Sequence, residues 1–418
     1  MTAIDIDLGR RKLDWARSHM PVHAQLRARY GDSRPLAGMT VAVASHIEAK
    51  TGVFIETLAA AGAEVVFTCS VAATTQDDVV AALNEQPNVT GYARHDAAAA
   101  EVEALHLKVL DHHPNFILDD AAELTAQLVH QRRAQAGELV GMCEQTSTGV
   151  QRLRAMEREG LMTFPAYAVN DTPMKHDFDN VHGTGESSLA NLALTTNLLL
   201  AGKRVVVAGY GYCGQGVANK AKGWGARVAI TEVDPRKALR AHMAGFDVAS
   251  MQQAAGEGEV FITATGNRDV LRREHFESMR DGAVIANAGH FNVEVCLSDL
   301  DALAVDQREV RPGISEYRLS DGRRINVVAG ADLVNLAAPT AMGHPVEVMD
   351  QTFAMQFVAA VHLLANCDSL APGVHKVPDE VDQHVARLKL ETLNIHIDTL
   401  TDAQRSYLDA WRIDDIRA

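Results

Sequence analysis

Apolar positions first recur at helical spacing from Leu8 to Tyr30, with basic residues along one face, which predicts a surface helix. Short β-type runs then alternate with helical stretches: MTVAVASH (39–46), AEVVFTCS (63–70), NFILDD (115–120), LVGMCEQ (139–145) and TFPAYAVN (163–170). A second series follows in KRVVVAGYG (203–211), ARVAITEVD (226–234), EVFITATG (259–266), GAVIANAGH (282–290) and RINVVAG (324–330). Continuous apolar strands separated by helices build parallel sheets covered on both faces. From about Gly343 onward the pattern is helical, VEVMDQTFAMQFVAAVHLLAN (346–366) being its longest stretch. The expected fold is α/β, with two doubly wound domains, a hinged cleft between them, and C-terminal helices returning to the first domain. Ligands of such sheets bind outside the carboxyl ends of the strands, so those ends are expected to face the cleft.

Composition narrows the class. A chain of 418 residues, 47% hydrophobic and 22% charged, is that of a soluble protein with two or three domains. A formal charge of −15 argues against nucleic-acid and anionic-membrane partners, which would repel it. No uninterrupted apolar run reaches the roughly 18 residues that span a bilayer. The charged start MTAIDIDLGRRKLDWARSHM does not read as a secretory signal. The five cysteines form no C-x-x-C pair, which suits a cytoplasmic protein with free thiols. Among 18 histidines, the adjacent pair at 112–113 lacks metal-ligand spacing, and no metal is expected.

The strongest local signal is VVVAGYGYCGQGVA (205–218), where Gly209, Gly211 and Gly214 satisfy G-x-G-x-x-G between an apolar strand and a helix. The three glycines serve a tight turn, close approach of backbone to a diphosphate, and packing of helix on strand. The helix N-terminus adds free amides and a positive dipole end. Glu232 closes the next strand, where a carboxylate accepts from ribose hydroxyls and disfavours a 2′-phosphate, so the expected cofactor is NAD. Lys237 and Arg236 are the basic residues beside it. A Rossmann-like NAD domain is therefore expected at 185–343, between a substrate-binding domain at 1–184 and its C-terminal return with a helical tail at 344–418.

Five further blocks stand in order along the chain: EQTSTGVQRL (144–153), NDTPMKHDFDNVHGTGES (170–187), NAGHFNVEV (287–295), EYRLSDGRRI (316–325) and AMGHP (341–345). Together they resemble the S-adenosylhomocysteine hydrolase family, over about residues 8 to 405. The resemblance implies a small nucleoside substrate, a homo-oligomer (dimer or tetramer) and an NAD cofactor recycled within each turnover. The 3′-hydroxyl is oxidised, the C4′ proton is lost, the 5′ substituent leaves, and the ketone is reduced again. It implies that Lys175 and Asp179 handle the 3′-hydroxyl proton, with Asn180 beside the cofactor. Asp120 matches an acid/base near C4′ and C5′, and His46 and His290 match histidines flanking the ribose and the 5′ position. Thr146, Ser147 and Thr148 match a hydroxyl run touching NAD and sugar. Asn335 and His344 match the nicotinamide and base ends of the cleft. Further implied cofactor contacts are Tyr212, Cys213, Thr265, Asn267, Ala288 and Gly289.

Departures from the family pattern cluster around the substrate. Glu48 and Lys50 replace a Thr and a Glu that recognise adenine, and Gln145 replaces the second acid of an acidic pair. A carboxylate accepts from an exocyclic amine, whereas an ammonium only donates. This leaves a 6-oxo base, a changed base orientation, or a Glu48–Lys50 pair as readings. Thr184 and Gly185 stand where a cysteine and an arginine are usual, and the stretches CSVAATTQD and NLAAPTAMGHP are longer than usual. The final LDAWRIDDIRA lacks the family's basic, tyrosine-ended tail, which predicts altered oligomeric contacts. These changes suggest a divergent member acting on a modified nucleoside, such as a C5′ dehydratase in nucleoside-antibiotic biosynthesis. The alternatives are reversible hydrolysis of S-adenosylhomocysteine or its inosine analogue, and a non-catalytic NAD-binding regulator. Retention of Lys175, Asp179, Asp120 and His290 speaks against the last.

Overall fold

The computed structural model describes residues 4–411; the segment 412–418, where the reading of an altered tail ends, lies outside the described residues. Six strands open the chain: β1 (Thr40–Ser45), β2 (Glu64–Cys69), β3 (Val89–Tyr92), β4 (Phe116–Asp119), β5 (Gly141–Glu144) and β6 (Pro165–Ala168). Eight more follow: β7 (Arg204–Ala208), β8 (Arg227–Thr231), β9 (Asp247–Val248), β10 (Val260–Thr263), β11 (Ala283–Asn287), β12 (Ala304–Arg311), β13 (Ile314–Leu319) and β14 (Arg324–Val328). A last strand, β15 (Gly373–His375), pairs with β6 and so returns the chain to the first sheet.

The first sheet runs 3-2-1-4-5-6-15, and the second runs 9-8-7-10-11-14-13-12. Both contain the doubly wound 3-2-1-4-5 order, whose direction of growth reverses once; β6 follows in the first sheet and β14 in the second. That reversal falls between β1 and β4 in one sheet and between β7 and β10 in the other. The apolar runs form these strands because alternate side chains enter different cores. Val41 and Val43 pack into one cluster and Ala42 and Ala44 into another. In the second sheet Val205 and Val207 share one cluster, with Val206 on the opposite face. Burial on both faces makes a strand read as continuously hydrophobic.

The opening segment differs from the single surface helix its periodicity predicts. It forms two helices, Ile6–Ser18 and Pro21–Tyr30, and Val22, His23 and Leu26 of the second are fully buried. Pro21 has no N–H to continue the first helix and starts the second at its first position. No side chain of the preceding residue caps this start. Asp350, from the helix Val346–Asn366, does so instead, accepting from the backbone N–H of Val22 and of His23, each at 3.1 Å. Burial opposes ionisation of Asp350, but His23 and Lys389 hold its carboxyl below the usual range.

The same long helix carries Phe353, which stacks on Phe54 with ring centroids 4.9 Å apart and planes at 4°. Such a pair adds about 0.5–1.5 kcal/mol beyond the area it buries. Among the described residues, the stretch Val346–Ser369 is long and apolar enough to cross a membrane, and 67% of its most apolar window is buried within the protein. A count of uninterrupted apolar residues passes over it because Asp350, Gln351, Thr352 and Gln356 punctuate the run.

Candidate active site

Between the two sheets lies a cavity of about 350 Å³. The switch points of both sheets open onto it. From the first sheet come Ser45 and His46 after β1, Asp120 after β4, and Gln145 to Thr148 after β5. From the second come Gly211 to Cys213 after β7, Ala264 to Gly266 after β10, and Ala288 to His290 after β11. Glu48, Lys175, Asp179, Asn180, Lys237, Asn335 and His344 complete the expected residues along the wall.

Lys175 ends a short turn, and residues His176–Gly183 then run as a π-helix. A π turn closes its hydrogen bond at i+5, so residues i+4 and i+5 both face residue i. Lys175 Nζ accordingly donates to Asp179 Oδ1 at 2.7 Å and to Asn180 Oδ1 at 2.5 Å. Asp179 also accepts from Thr352 Oγ1 at 2.9 Å, and its Oδ1 lies 3.4 Å from His344 Nδ1. Burial disfavours its charge, yet Lys175 and His344 outweigh that and hold the carboxyl well below the usual range. Asn180 donates to Asn170 Oδ1 at 3.0 Å, which fixes its amide.

Opposite stand His46, Asp120 and His290. His46 Nε2 is 3.6 Å from Asp120 Oδ2, and His290 Nδ1 is 3.8 Å from Asp120 Oδ1. Burial lowers the pKa of both imidazoles against the pull of Asp120, that of His290 to about 4. His46 Nδ1 is hydrogen-bonded to Thr74 at 2.8 Å. Asp120 Oδ1, His290 Nε2 and Gln145 Oε1 are buried without a protein partner, so three polar atoms of this corner await a ligand. The ligand-type atoms of His46, Asp120 and His290 lie within 4.8 Å of one another. The adjacent pair at 112–113 does not contribute, and three distant segments build the group.

Five expected residues do not line the cavity: Lys50, Gly209, Gly214, Glu232 and Asn267. Lys50 is buried beside it, with Nζ 3.1 Å from Glu48 Oε2 and donating to the Met342 carbonyl at 2.6 Å. Of the readings for this pair, the ion pair is the one formed, and it ties the 341–345 segment to the first domain. Gly209 and Gly214 pack beneath the cofactor turn. Gly209 has φ +95°, and a Cβ on Gly214 would stand 2.0 Å from Gly209 O. Glu232 accepts from the N–H of Tyr210 at 2.7 Å, Val233 at 2.7 Å and Asp234 at 3.0 Å, outside the enclosed space. Asn267 is exposed on the loop after β10. Arg236 is drawn to Asp234 at 3.0 Å.

These features form a cradle that fits NAD. A Cβ on Gly211 would meet nothing within 4 Å, so the turn faces open space at the start of the helix Tyr212–Gly223. The close approach for a diphosphate is therefore present where the helix amides converge. Asn335 Oδ1 is buried without a partner, free for an amide donor, while its Nδ2 donates to Ser187 at 3.1 Å. His176 stacks on Tyr212 with ring centroids 4.0 Å apart, joining the π-helix to the cofactor helix.

Several wall residues were not expected. Thr51, Gln151, Asn170, Met349 and Phe353 read as ordinary helix or core positions, and only the fold turns them inward. Thr184, noted only as a departure, lies 3.5 Å from Cys213 Sγ and 3.4 Å from His344 Nε2. Burial pushes the Cys213 thiol up, which makes it neutral wall rather than nucleophile. Glu294, inside a quoted block, accepts from Thr265 N at 3.0 Å, Thr265 Oγ1 at 2.8 Å and Gly266 N at 2.8 Å, shaping the loop after β10.

Comparison with known proteins agrees with this geometry. A model of S-adenosyl-L-homocysteine hydrolase matches residues 3–138, and a model of that enzyme's NAD-binding domain matches 180–341. The adenosylhomocysteinase of Haloquadratum walsbyi is 52% identical over 404 residues, 96% of this chain and 93% of that protein. That of Halobacterium salinarum is 50% identical over 406 residues, 97% of this chain and 95% of that one. The S-inosyl-L-homocysteine hydrolase of Methanosarcina mazei is 48% identical over 406 residues, 97% and 98% of the two chains. The expectation of an antibiotic-pathway dehydratase finds no support among these relatives, and the hydrolytic alternative fits them better. With cradle, cavity and full-length similarity in agreement, the chain is an NAD-binding member of the S-adenosyl-L-homocysteine hydrolase family.

Proposed function

We propose that the protein catalyses reversible hydrolysis of an S-nucleosidyl-homocysteine, with adenine or hypoxanthine as base, to nucleoside and homocysteine. One observation carries the reading: two acid/base sets, Lys175–Asp179–Asn180 and His46–Asp120–His290, open onto a single cavity beside an NAD cradle. Among the described residues, 4–184 and 344–411 supply the nucleoside's site, and 185–343 supply the cofactor's.

NAD⁺, when bound, supplies the acceptor for hydrogen from the 3′ carbon and returns it at the end. Lys175 takes the 3′-hydroxyl proton, and ionised Asp179, held by Thr352, stabilises the resulting ammonium. A 3′-ketone acidifies the neighbouring C4′ hydrogen, and Asp120 receives that proton. Electrons released at C4′ form the 4′,5′ double bond as the thiolate leaves C5′. His290, kept neutral by burial, and His46 then orient water for addition at C5′ and pass its proton to the departing thiolate. Asp120 returns the stored proton to C4′, and Lys175 returns its proton to the 3′ oxygen. Closure of the cavity between the sheets keeps bulk water from the reactive alkene.

The test is direct. NAD-loaded protein is incubated separately with S-adenosylhomocysteine and S-inosylhomocysteine, and free thiol is titrated. Stoichiometric homocysteine from either substrate is the expected result. No thiol from either, with a 5′-hydroxyl nucleoside converted to a product one water lighter, would return the protein to the dehydratase reading.

A further inference from the structure

Gln145, the first residue after β5, is 5% exposed and faces the cavity. Its Nε2 donates to Asp120 Oδ2 at 2.8 Å and to Ser45 Oγ at 3.4 Å. Chemistry fixes this orientation, because only the NH₂ end of an amide is compatible with a carboxylate. The other end, Oε1, is left unpartnered, as is Asp120 Oδ1.

The surroundings of Asp120 make the amide consequential. His46 and His290 flank it, both with their protonated forms disfavoured by burial. Behind it, Asp119 and Glu144 are two more buried carboxylates, each with its pKa raised by burial. Arg152 and Lys175 are the cations acting on His290; Arg152 is committed to the Ala121 carbonyl at 2.6 Å and to Glu123, and Lys175 to Asp179 and Asn180. An amide donor orients one oxygen of Asp120 without adding charge to the corner. A carboxylate in the same place would have to share a proton with it, because two acids at this distance do not both ionise.

We propose that Gln145 is a positioning residue that fixes the Asp120 carboxylate through one of its oxygens. It ties down Oδ2 and leaves Oδ1 free toward the substrate. This rests on the role of Asp120 in the proposed hydrolysis.

The experiment uses NAD-loaded Gln145→Glu and Gln145→Leu. The pH profile of thiol release is measured, together with deuterium uptake from D₂O at C4′ of the nucleoside. In Q145E the acid limb moves up by about one to two pH units, and C4′ exchange below that limb falls about tenfold or more. In Q145L loss of the donor moves the limb the same way by a smaller amount, with kcat falling more than KM rises. Acid limbs unchanged from wild type in the variants that load NAD would overturn the proposal. Should Q145E fail to accumulate as loaded protein, Q145L alone decides. Asp120→Asn separates the two layers. If it retains C4′ exchange, the acid/base reading of Asp120 is wrong. If it abolishes exchange while the Gln145 variants keep the wild-type limb, only the role of Gln145 is wrong.

Discussion

Replacing Glu144 by Gln tests what holds Asp120 in place. The two residues after Asp120, Ala121 and Ala122, both lie in the left-handed region, with φ of 69° and 53°. Two consecutive residues with a Cβ in that region cost about 1–2 kcal/mol each, so something must hold the turn. Glu144 does this with both oxygens. Oε1 accepts from Ala121 N at 3.1 Å, Thr146 N at 2.8 Å and Thr146 Oγ1 at 2.8 Å, and Oε2 accepts from Ala122 N at 2.8 Å. A glutamine retains one acceptor oxygen. Even in its better orientation it turns an NH₂ toward the Ala122 N–H and leaves that buried donor unpaired, at about 1–3 kcal/mol. Burial opposes the charge on Glu144, but every group bonded to it is a donor, which favours the carboxylate. With Gln those bonds fall to neutral strength, adding about 1 kcal/mol or more. The expected loss is about 2–4 kcal/mol, or roughly 2–5 °C in melting temperature for a protein of this size. Thermal melts at fixed NAD concentration read the stability, and thiol release reads the consequence for Asp120. A shift of that carboxylate by about 1 Å should lower kcat by about 10²-fold. A variant that melts within about 1 °C of wild type with unchanged kcat would refute the role given to Glu144.

Lys175→Met should lower kcat by about 10²–10⁴-fold while the protein still purifies with NAD, as measured by thiol release and by nicotinamide content. Gly214→Ala should abolish NAD loading, because its Cβ would stand 2.0 Å from Gly209 O, whereas Gly211→Ala meets no protein atom and should weaken NAD without lowering the melting temperature of the cofactor-free chain. Lys50→Met leaves the Met342 carbonyl and Glu48 without their cation, and a cost of about 1–3 kcal/mol should appear mainly as a higher KM in initial-rate assays. His290 titrates near 4 in the fold and near 6.5 when unfolded. Between those values the unfolded chain holds the extra proton, so this contribution to stability grows as pH rises from about 4 to 6.5 and is lost on acidification. His290→Gln should flatten that limb in melts across pH; an unchanged difference from wild type at pH 4.5 and 7 would count against it.

The central strands were legible because burial on both faces leaves an unbroken apolar run, as in VVVA of β7. Edge strands were not. β12 reads AVDQREVR with most positions exposed, and β9 has only two residues, so neither carries an apolar signature. The break at Pro21 was visible as a letter, but its meaning depended on Asp350 capping the second helix from 328 residues away. The motif glycines and Lys175 stood out by spacing. Glu144 and Glu294 sat in plain view inside recognised blocks, yet their work is done on backbone amides of turns far along the chain. The π-helix left no trace in the hydrophobic periodicity, although it decides that Asp179 and Asn180 reach Lys175 together. Hydrogen bonds to backbone and a change of helical pitch are set by the tertiary structure, so residue spacing alone does not reveal them.

The long helix Val346–Asn366 and strand β15 have a consequence for how the protein is made. The first sheet needs Phe353 against Phe54 and Asp350 at the start of the second helix before its core closes. At about 5–20 residues per second, a separation of 328 residues means roughly 15–65 s between synthesis of Val22 and of its partner. The strands of the second sheet, by contrast, all come from one continuous piece of chain. The nucleotide-binding half can therefore complete itself on the ribosome while the N-terminal half is still short of a wall. During that interval Phe54, Leu26 and their neighbours lack their final cover, and an early-docked nucleotide would stabilise only the part already finished. A nascent chain stalled near residue 345 is thus the form most exposed to aggregation and most in need of a chaperone.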